Sequence, residues 1–89
     1  MICAQLTIIN KLGLHARAAA KFVATAGSFE STIQTGKDGQ LVDGKSIMSV
    51  MMLAASKGTV LDFKIEGKDE EQAFEAISNL INNMFDEGE

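Results

Sequence analysis

The sequence contains no proline, tryptophan or tyrosine, and its 89 residues include one cysteine and one histidine. A single cysteine excludes a disulfide within the chain, and we expect Cys3 to be a packing residue in a reducing compartment. One histidine without further ligands at suitable spacing disfavours a metal site. The net charge is −4, and no block of basic residues is present. Nucleic acid is therefore not expected as a partner, because phosphate backbones attract clustered lysine and arginine.

Long apolar runs are also missing. No segment reaches the ~20 apolar residues of a membrane-spanning helix. Residues 1–5 lack the charged start and apolar centre of a signal peptide, so we expect a cytoplasmic protein without membrane insertion. The apolar fraction of 46% is ordinary for a globular protein, and residues 1–89 are expected to form a single domain.

The apolar periodicity predicts the element order β-α-β-β-α-β-α. We predict strands over residues 2–9, 32–35, 40–42 and 59–66, and helices over residues 16–26, 46–55 and 69–84. Asp38-Gly39 suits a hairpin turn, and Gly27 is placed to end the first helix in the left-handed region. The apolar stripe of the last helix comprises Ala73, Ile77, Leu80, Ile81 and Met84. This order indicates an α+β fold, an open-faced β-sandwich with a four-stranded, mainly antiparallel sheet and three helices on one face.

The only histidine lies where a loop meets an alanine-rich helix. If His15 is the N-cap, the amides of Ala16, Arg17 and Ala18 receive no side-chain oxygen from that residue. Such amides bind anions, and the Arg17 guanidinium offers planar donors to phosphate oxygens. The positive end of the helix also favours the neutral, nucleophilic imidazole. The arrangement suits a phosphoryl group carried on His15, and a loop histidine that only caps the helix is the alternative.

The surroundings of His15 favour a protein partner over autonomous catalysis. Small side chains at Ala16 and residues 18–20 keep the rim low, so that another protein's active site could reach the imidazole. The sequence has no G-x-S-x-G segment and no Walker-type or G-x-G-x-x-G phosphate loop. We therefore expect neither a hydrolase nor an enzyme that binds a nucleotide by itself.

A second segment of interest begins at Ser46, which is placed to cap the second helix. The residues that follow are too apolar for one helical face: Ile47, Met48, Val50, Met51, Met52 and Leu53. Either the helix is buried throughout, or some of these side chains form an adaptable docking surface, for which methionine is well suited.

Both segments carry a resemblance to a known family. Lys11-Leu12-Gly13-Leu14-His15-Ala16-Arg17-Ala18-Ala19-Ala20 and Gly44-Lys45-Ser46-Ile47-Met48 resemble the two signature segments of HPr, the histidine-containing phosphocarrier family of the bacterial phosphoenolpyruvate:sugar phosphotransferase system. Length, element order and the spacing of the segments extend the resemblance over nearly the whole chain. The resemblance implies that His15 accepts a phosphoryl group on Nδ1 from phospho-Enzyme I and passes it to an Enzyme IIA component. It further implies that Arg17 neutralises the phosphoryl group and that no cofactor takes part.

The chain departs from the family pattern at Ala18, where proline is common. Alanine is a good helix former and keeps its N–H as one more donor to a phosphate. The first turn of the helix is less rigid than with proline. Transfer is nevertheless expected to persist.

The resemblance also concerns partners and regulation. It implies a docking surface of Ala20, Ile47, Met48 and Met51, and regulatory phosphorylation of Ser46 in bacteria that have HPr kinase/phosphorylase. A carrier of the nitrogen-related branch remains an alternative, because the acidic tail over residues 82–89 is similar to that branch. A small-ligand regulatory domain, in which His15 merely caps a helix, is a distant alternative. We expect a monomer.

Overall fold

The computed structural model describes residues 1–86, in which four strands form one antiparallel sheet. The strands lie in the order β1-β4-β2-β3, with bounds β1 (Ile2–Thr7), β2 (Thr32–Lys37), β3 (Gln40–Asp43) and β4 (Val60–Glu66). The helices are α1 (Ala16–Gly27), α2 (Ile47–Met52) and α3 (Glu70–Asn82), and a 3-10 turn follows over Met84–Asp86. The predicted class, element order and open-faced sheet with three helices are confirmed.

Side chains of the inner strand β4 alternate between the covered face and the open face of the sheet. Leu61, Phe63 and Ile65 are buried, whereas the intervening Lys64 is exposed. The rings of Phe63 and Phe22 of α1 lie 6.1 Å apart, centroid to centroid. The helices therefore cover the apolar face, as the two-residue period of the strand requires.

Cys3 lies on the edge strand β1 and is exposed. The prediction that it is a packing residue was wrong, because the alternation along β1 turns it to the solvent side with Gln5 and Thr7. β1 also ends at Thr7, before the predicted Ile9. The chain continues to pair beyond that point, since the Ile8 N–H donates to Thr59 O at 2.9 Å.

The hairpin between β2 and β3 forms at the predicted turn. Asp38 and Gly39 have φ angles of 55° and 83°, the left-handed values that a two-residue type I′ loop requires at both positions. Lys37 and Gln40 are directly paired across the turn.

Two predicted helix ends differ from the structure. Gly27 is the last residue of α1, and the chain leaves through the right-handed Ser28, whose N–H donates to Thr25 O at 3.2 Å. Since that tight turn satisfies the helix end, no left-handed glycine is needed. The second helix ends at Met52, because Ala54 takes a φ of 51° and cannot continue the helix to Ala55.

The third helix also ends earlier than predicted, at Asn82. Its predicted stripe is buried at Ala73, Ile77 and Ile81, whereas Leu80 and Met84 are partly exposed. Beyond the helix, left-handed backbone at residues 84–86 turns Phe85 into the core, where it is fully buried. The sequence pattern did not reveal this burial. Of the predicted acidic tail, residues 87–89 lie outside the described residues.

Candidate functional site

The loop before His15 is held by hydrogen bonds within the loop and by one to the segment after α2. The buried Asn10 donates from Nδ2 to Gly13 O at 2.8 Å, and the Gly13 N–H donates back to Asn10 O at 3.2 Å. The Leu14 N–H donates to Ala55 O at 2.8 Å. These bonds attach the residue that precedes His15 to the segment that follows α2.

Gly13 permits this close approach. Its φ is 66°, and a Cβ at this position would lie 2.5 Å from Ala55 O. A larger residue would therefore combine left-handed strain with a backbone clash. The glycine of the sequence motif serves to bring the His15 loop against the end of α2.

His15 occupies the predicted N-cap position of α1. Its backbone is extended, with φ −73° and ψ 177°, and its side chain makes no capping hydrogen bond. Its carbonyl accepts from the Ala19 N–H at 2.8 Å, the first intrahelical bond. The amides of Ala16, Arg17 and Ala18 precede that bond and point out of the helix end, where backbone N–H groups bind anions.

The rim around His15 is only partly as expected. Ala16, Arg17 and Ala20 are exposed, whereas Ala18 and Ala19 are fully buried in the core. The small rim is therefore formed by fewer alanines than the sequence suggested. Successive helical side chains point in different directions, so the methyl of Ala18 packs inward although its amide belongs to the helix end.

Ser46 caps α2 as predicted. Its backbone is extended, with φ −108° and ψ 114°, and its hydroxyl oxygen accepts from the Ser49 N–H at 3.4 Å. The preceding Lys45 donates from Nζ to Phe29 O at 2.7 Å. The capping bond gives the hydroxyl a structural role, and Ser46 as a residue is partly exposed.

The apolar side chains of α2 divide between core and surface. Val50 and Leu53 are buried, whereas Ile47, Met48 and Met51 are 40%, 69% and 40% exposed. The alternative of a helix buried throughout was wrong. We call Ala20, Ile47, Met48 and Met51, the docking residues that the resemblance predicts, the docking patch. Helix α2 packs beside α1, and the segment that follows α2 is bonded to the His15 loop.

Leu12, in the loop that leads to His15, is an exposed apolar residue that the sequence pattern did not reveal. Its side chain is 66% exposed. Its place outside every predicted strand and helix was the available signal, because loops run over the protein surface.

No helix in residues 1–86 is long and apolar enough to cross a membrane. The same residues contain no group of three or more histidine, cysteine, aspartate or glutamate side chains that could hold a metal ion.

A family model described as the PTS HPr component phosphorylation site matches residues 2–83. This chain belongs to the HPr family. It is thus a phosphocarrier protein of the phosphotransferase system. The phosphocarrier protein HPr of Pseudomonas aeruginosa is 59% identical over 86 residues, which make up 96% of each chain.

Solved structures of the family share the fold of this chain. HPr-C-His from Thermoanaerobacter tengcongensis matches with a TM-score of 0.94 at 47% identity, over 98% of both chains. An HPr dimer from the same organism matches with a TM-score of 0.76, over 96% of this chain and 98% of that chain. The dimer is a property of that protein, and its existence shows that members of this family are not all monomers.

Proposed function

We propose that this chain relays a phosphoryl group through His15. It accepts the group from phospho-Enzyme I, which takes it from phosphoenolpyruvate, and passes it to Enzyme IIA components for sugar uptake and phosphorylation. The proposal rests on the position of His15 at the N-cap of α1, directly before three outward amides and the exposed Arg17. In this role residues 1–89 act as one monomeric domain in the cytoplasm, without a cofactor.

The site suits both states of a carrier. In the relay, Nδ1 of His15 attacks phosphorus, and the bond between phosphorus and the donor breaks as the new nitrogen–phosphorus bond forms. The transferred group carries about −1.5 to −2 charges by analogy with other phosphorylated side chains. The three amides and Arg17 stabilise that charge, and a helix terminus contributes typically ~0.3–1 kcal/mol. A contribution of this size favours reversible transfer over permanent retention of the phosphate.

The chemistry of His15 is tested by intact-protein mass spectrometry after incubation with phosphoenolpyruvate, Mg²⁺ and Enzyme I. We expect one added phosphoryl group that is lost in acid, and none on His15→Ala. Arg17→Ala is expected to be phosphorylated more slowly, because one stabilising cation is lost. Phosphorylation of the His15→Ala variant, or no phosphorylation of the wild type by an active Enzyme I, would refute the relay.

The docking patch is tested by adding a charge to its most exposed member. Met48→Asp is expected to raise the KM of Enzyme I for this protein by about tenfold. Loss of an interface contact worth ~1.4 kcal/mol has an effect of that size. Met52→Asp is the matched control, since Met52 is 80% exposed on the same helix but is not part of the patch. Equal kinetics for the two variants would contradict the assignment of the patch.

Ser46 is the proposed site of regulatory phosphorylation by HPr kinase/phosphorylase with ATP. A phosphate on the N-cap would place negative charge beside the docking patch and repel acidic partner surfaces. We expect the kinase to modify the wild type and Ser49→Ala but not Ser46→Ala. Modification of Ser46→Ala would show that another residue is the target.

A carrier of the nitrogen-related branch, with a regulatory output, is the second candidate. The acidic character of residues 82–89 supports it, whereas Lys45-Ser46-Ile47-Met48 supports the sugar branch. Phosphorylated protein offered to Enzyme IIA components of both branches would separate them. Faster transfer to the sugar-specific component supports our first proposal.

A further inference from the structure

The surface of α2 presents three methionine side chains to solvent. Met48 is 69% exposed, Met51 40% and Met52 80%, whereas Val50 and Leu53 of the same helix are buried. Oxidation of methionine by small oxidants depends on access to the sulfur atom. A helix of six residues with three exposed methionines is therefore a concentrated target for such oxidants.

The three methionines lie on two flanks of the helix. Met51 follows Ile47 by one turn, and both belong to the docking patch together with Met48. Met52 follows Ser49 by almost one turn, and these two line a groove against the β2–β3 hairpin. The most exposed methionine thus lies outside the docking patch, which provides an internal comparison.

We propose that Met48 and Met51 are a modification site at which hydrogen peroxide regulates phosphoryl transfer. This inference rests on the docking patch of the proposed function. One peroxide oxygen forms a bond to the sulfur as the O–O bond breaks, and the second oxygen leaves as water with both hydrogens. The sulfur is oxidised by two electrons and the peroxide is reduced by two.

Sulfoxide formation opposes docking for a physical reason. The S=O group is strongly polar, and burying it in an apolar contact without a hydrogen-bond partner costs free energy. The apolar side chains of Met48 and Met51 would lose the property that suits them to an adaptable interface. Because methionine sulfoxide reductases reverse the reaction, the loss of transfer is reversible.

The test uses the full chain with Cys3→Ala, which removes the exposed thiol as a competing target. Hydrogen peroxide is applied to this protein (the parent), to its Met48→Leu/Met51→Leu variant and to its Met52→Leu variant. Catalase then destroys the peroxide before Enzyme I is added. Peptide mass spectrometry measures sulfoxide at each methionine, and each sample is compared with its own untreated form. The kinetic readout is the KM of Enzyme I for this protein in the phosphorylation of His15.

Oxidation is expected to raise the KM by about five- to tenfold in the parent and in Met52→Leu, the effect of losing one interface contact. Met48→Leu/Met51→Leu is expected to keep its untreated KM, and a methionine sulfoxide reductase should restore the parent. Sulfoxide at Met48 and Met51 without a change in KM would overturn the proposal, as would an equal loss in the double variant. Sulfoxide at Met52 but at neither Met48 nor Met51 would also overturn the proposal. Failure of the untreated parent to accept a phosphoryl group would instead contradict the proposed function.

Discussion

At the scale of single residues, the His15 site depends on backbone conformations that few residue types adopt. Gly13 has a φ of 66° and Ala54 a φ of 51°, and they lie on the two sides of the bond between Leu14 and Ala55. Glycine adopts this conformation without cost, whereas in alanine the Cβ atom lies too close to the following carbonyl oxygen. The two residues that precede the partners of this hydrogen bond therefore differ: the backbone of Gly13 is relaxed, and that of Ala54 is strained.

Ala54→Gly is expected to stabilise the protein. Relief of the left-handed strain is worth ~1–2 kcal/mol, and the greater freedom of glycine in the unfolded chain removes ~0.5–1 kcal/mol of that. A net gain of about 0.5–1 kcal/mol in the free energy of unfolding should appear in urea denaturation. Ala24→Gly, at an exposed position inside α1, is the control and should lose about 1 kcal/mol. Destabilisation by both variants would show that Ala54 is not strained.

At the scale of elements, Asp69 joins the start of α3 to the loop after α1. Its carboxylate does not cap its own helix. It accepts from the Glu30 N–H and the Ser31 N–H, each at 2.9 Å, and from the Ser31 hydroxyl. The Ser31 hydroxyl and then the Glu30 N–H lower the pKa of Asp69 below its ordinary value. The sequence pattern predicted only that the last helix begins at Asp69.

The lowered pKa of Asp69 predicts how stability depends on pH. A carboxyl group with a depressed pKa in the folded state stabilises it above the unfolded pKa, and this contribution disappears as the pH falls through the folded pKa. We therefore expect Asp69→Asn to lower the free energy of unfolding at pH 7 and to approach the wild type in acid. Glu71→Gln, an exposed change in the same helical turn, is the control. A constant difference between Asp69→Asn and wild type across the acid range would contradict the assignment.

At the scale of the whole molecule, the segment after α3 closes the core. Phe85 is fully buried, and its carbonyl accepts from Lys21 Nζ of α1 at 2.7 Å. The turn at residues 84–86 contacts both α1 and α3. These contacts join the end of the described chain to the helix that follows His15.

Phe85→Ala is expected to cost about 3–5 kcal/mol in the free energy of unfolding, the usual effect of removing a buried phenylalanine. Such a loss is a large part of the stability of a small domain, which is typically ~5–15 kcal/mol. Phe74→Ala, at a partly buried position on α3, should cost less. Denaturant unfolding measures both changes. A loss below about 1 kcal/mol for Phe85→Ala would show that the ring is not part of the core.

Features that depend on neighbouring residues were predictable from the amino-acid pattern. The periods of two and 3.6 residues place the strands and helices, and Asp38-Gly39 specifies its turn through backbone preferences alone. The positions of His15 and Ser46 as helix caps follow from the residues around them. The candidate site could therefore be located before any tertiary contact was known.

The side of each element that meets solvent, and the places where distant segments join, depend on how the elements pack in three dimensions. Cys3 is exposed because the helices cover the other face of its strand, and Met48 is exposed because Val50 and Leu53 occupy the buried side of α2. Asp69 reaches the α1–β2 loop and Phe85 enters the core through contacts between residues far apart in sequence. Local patterns do not encode these contacts, since they arise from the packing of whole elements.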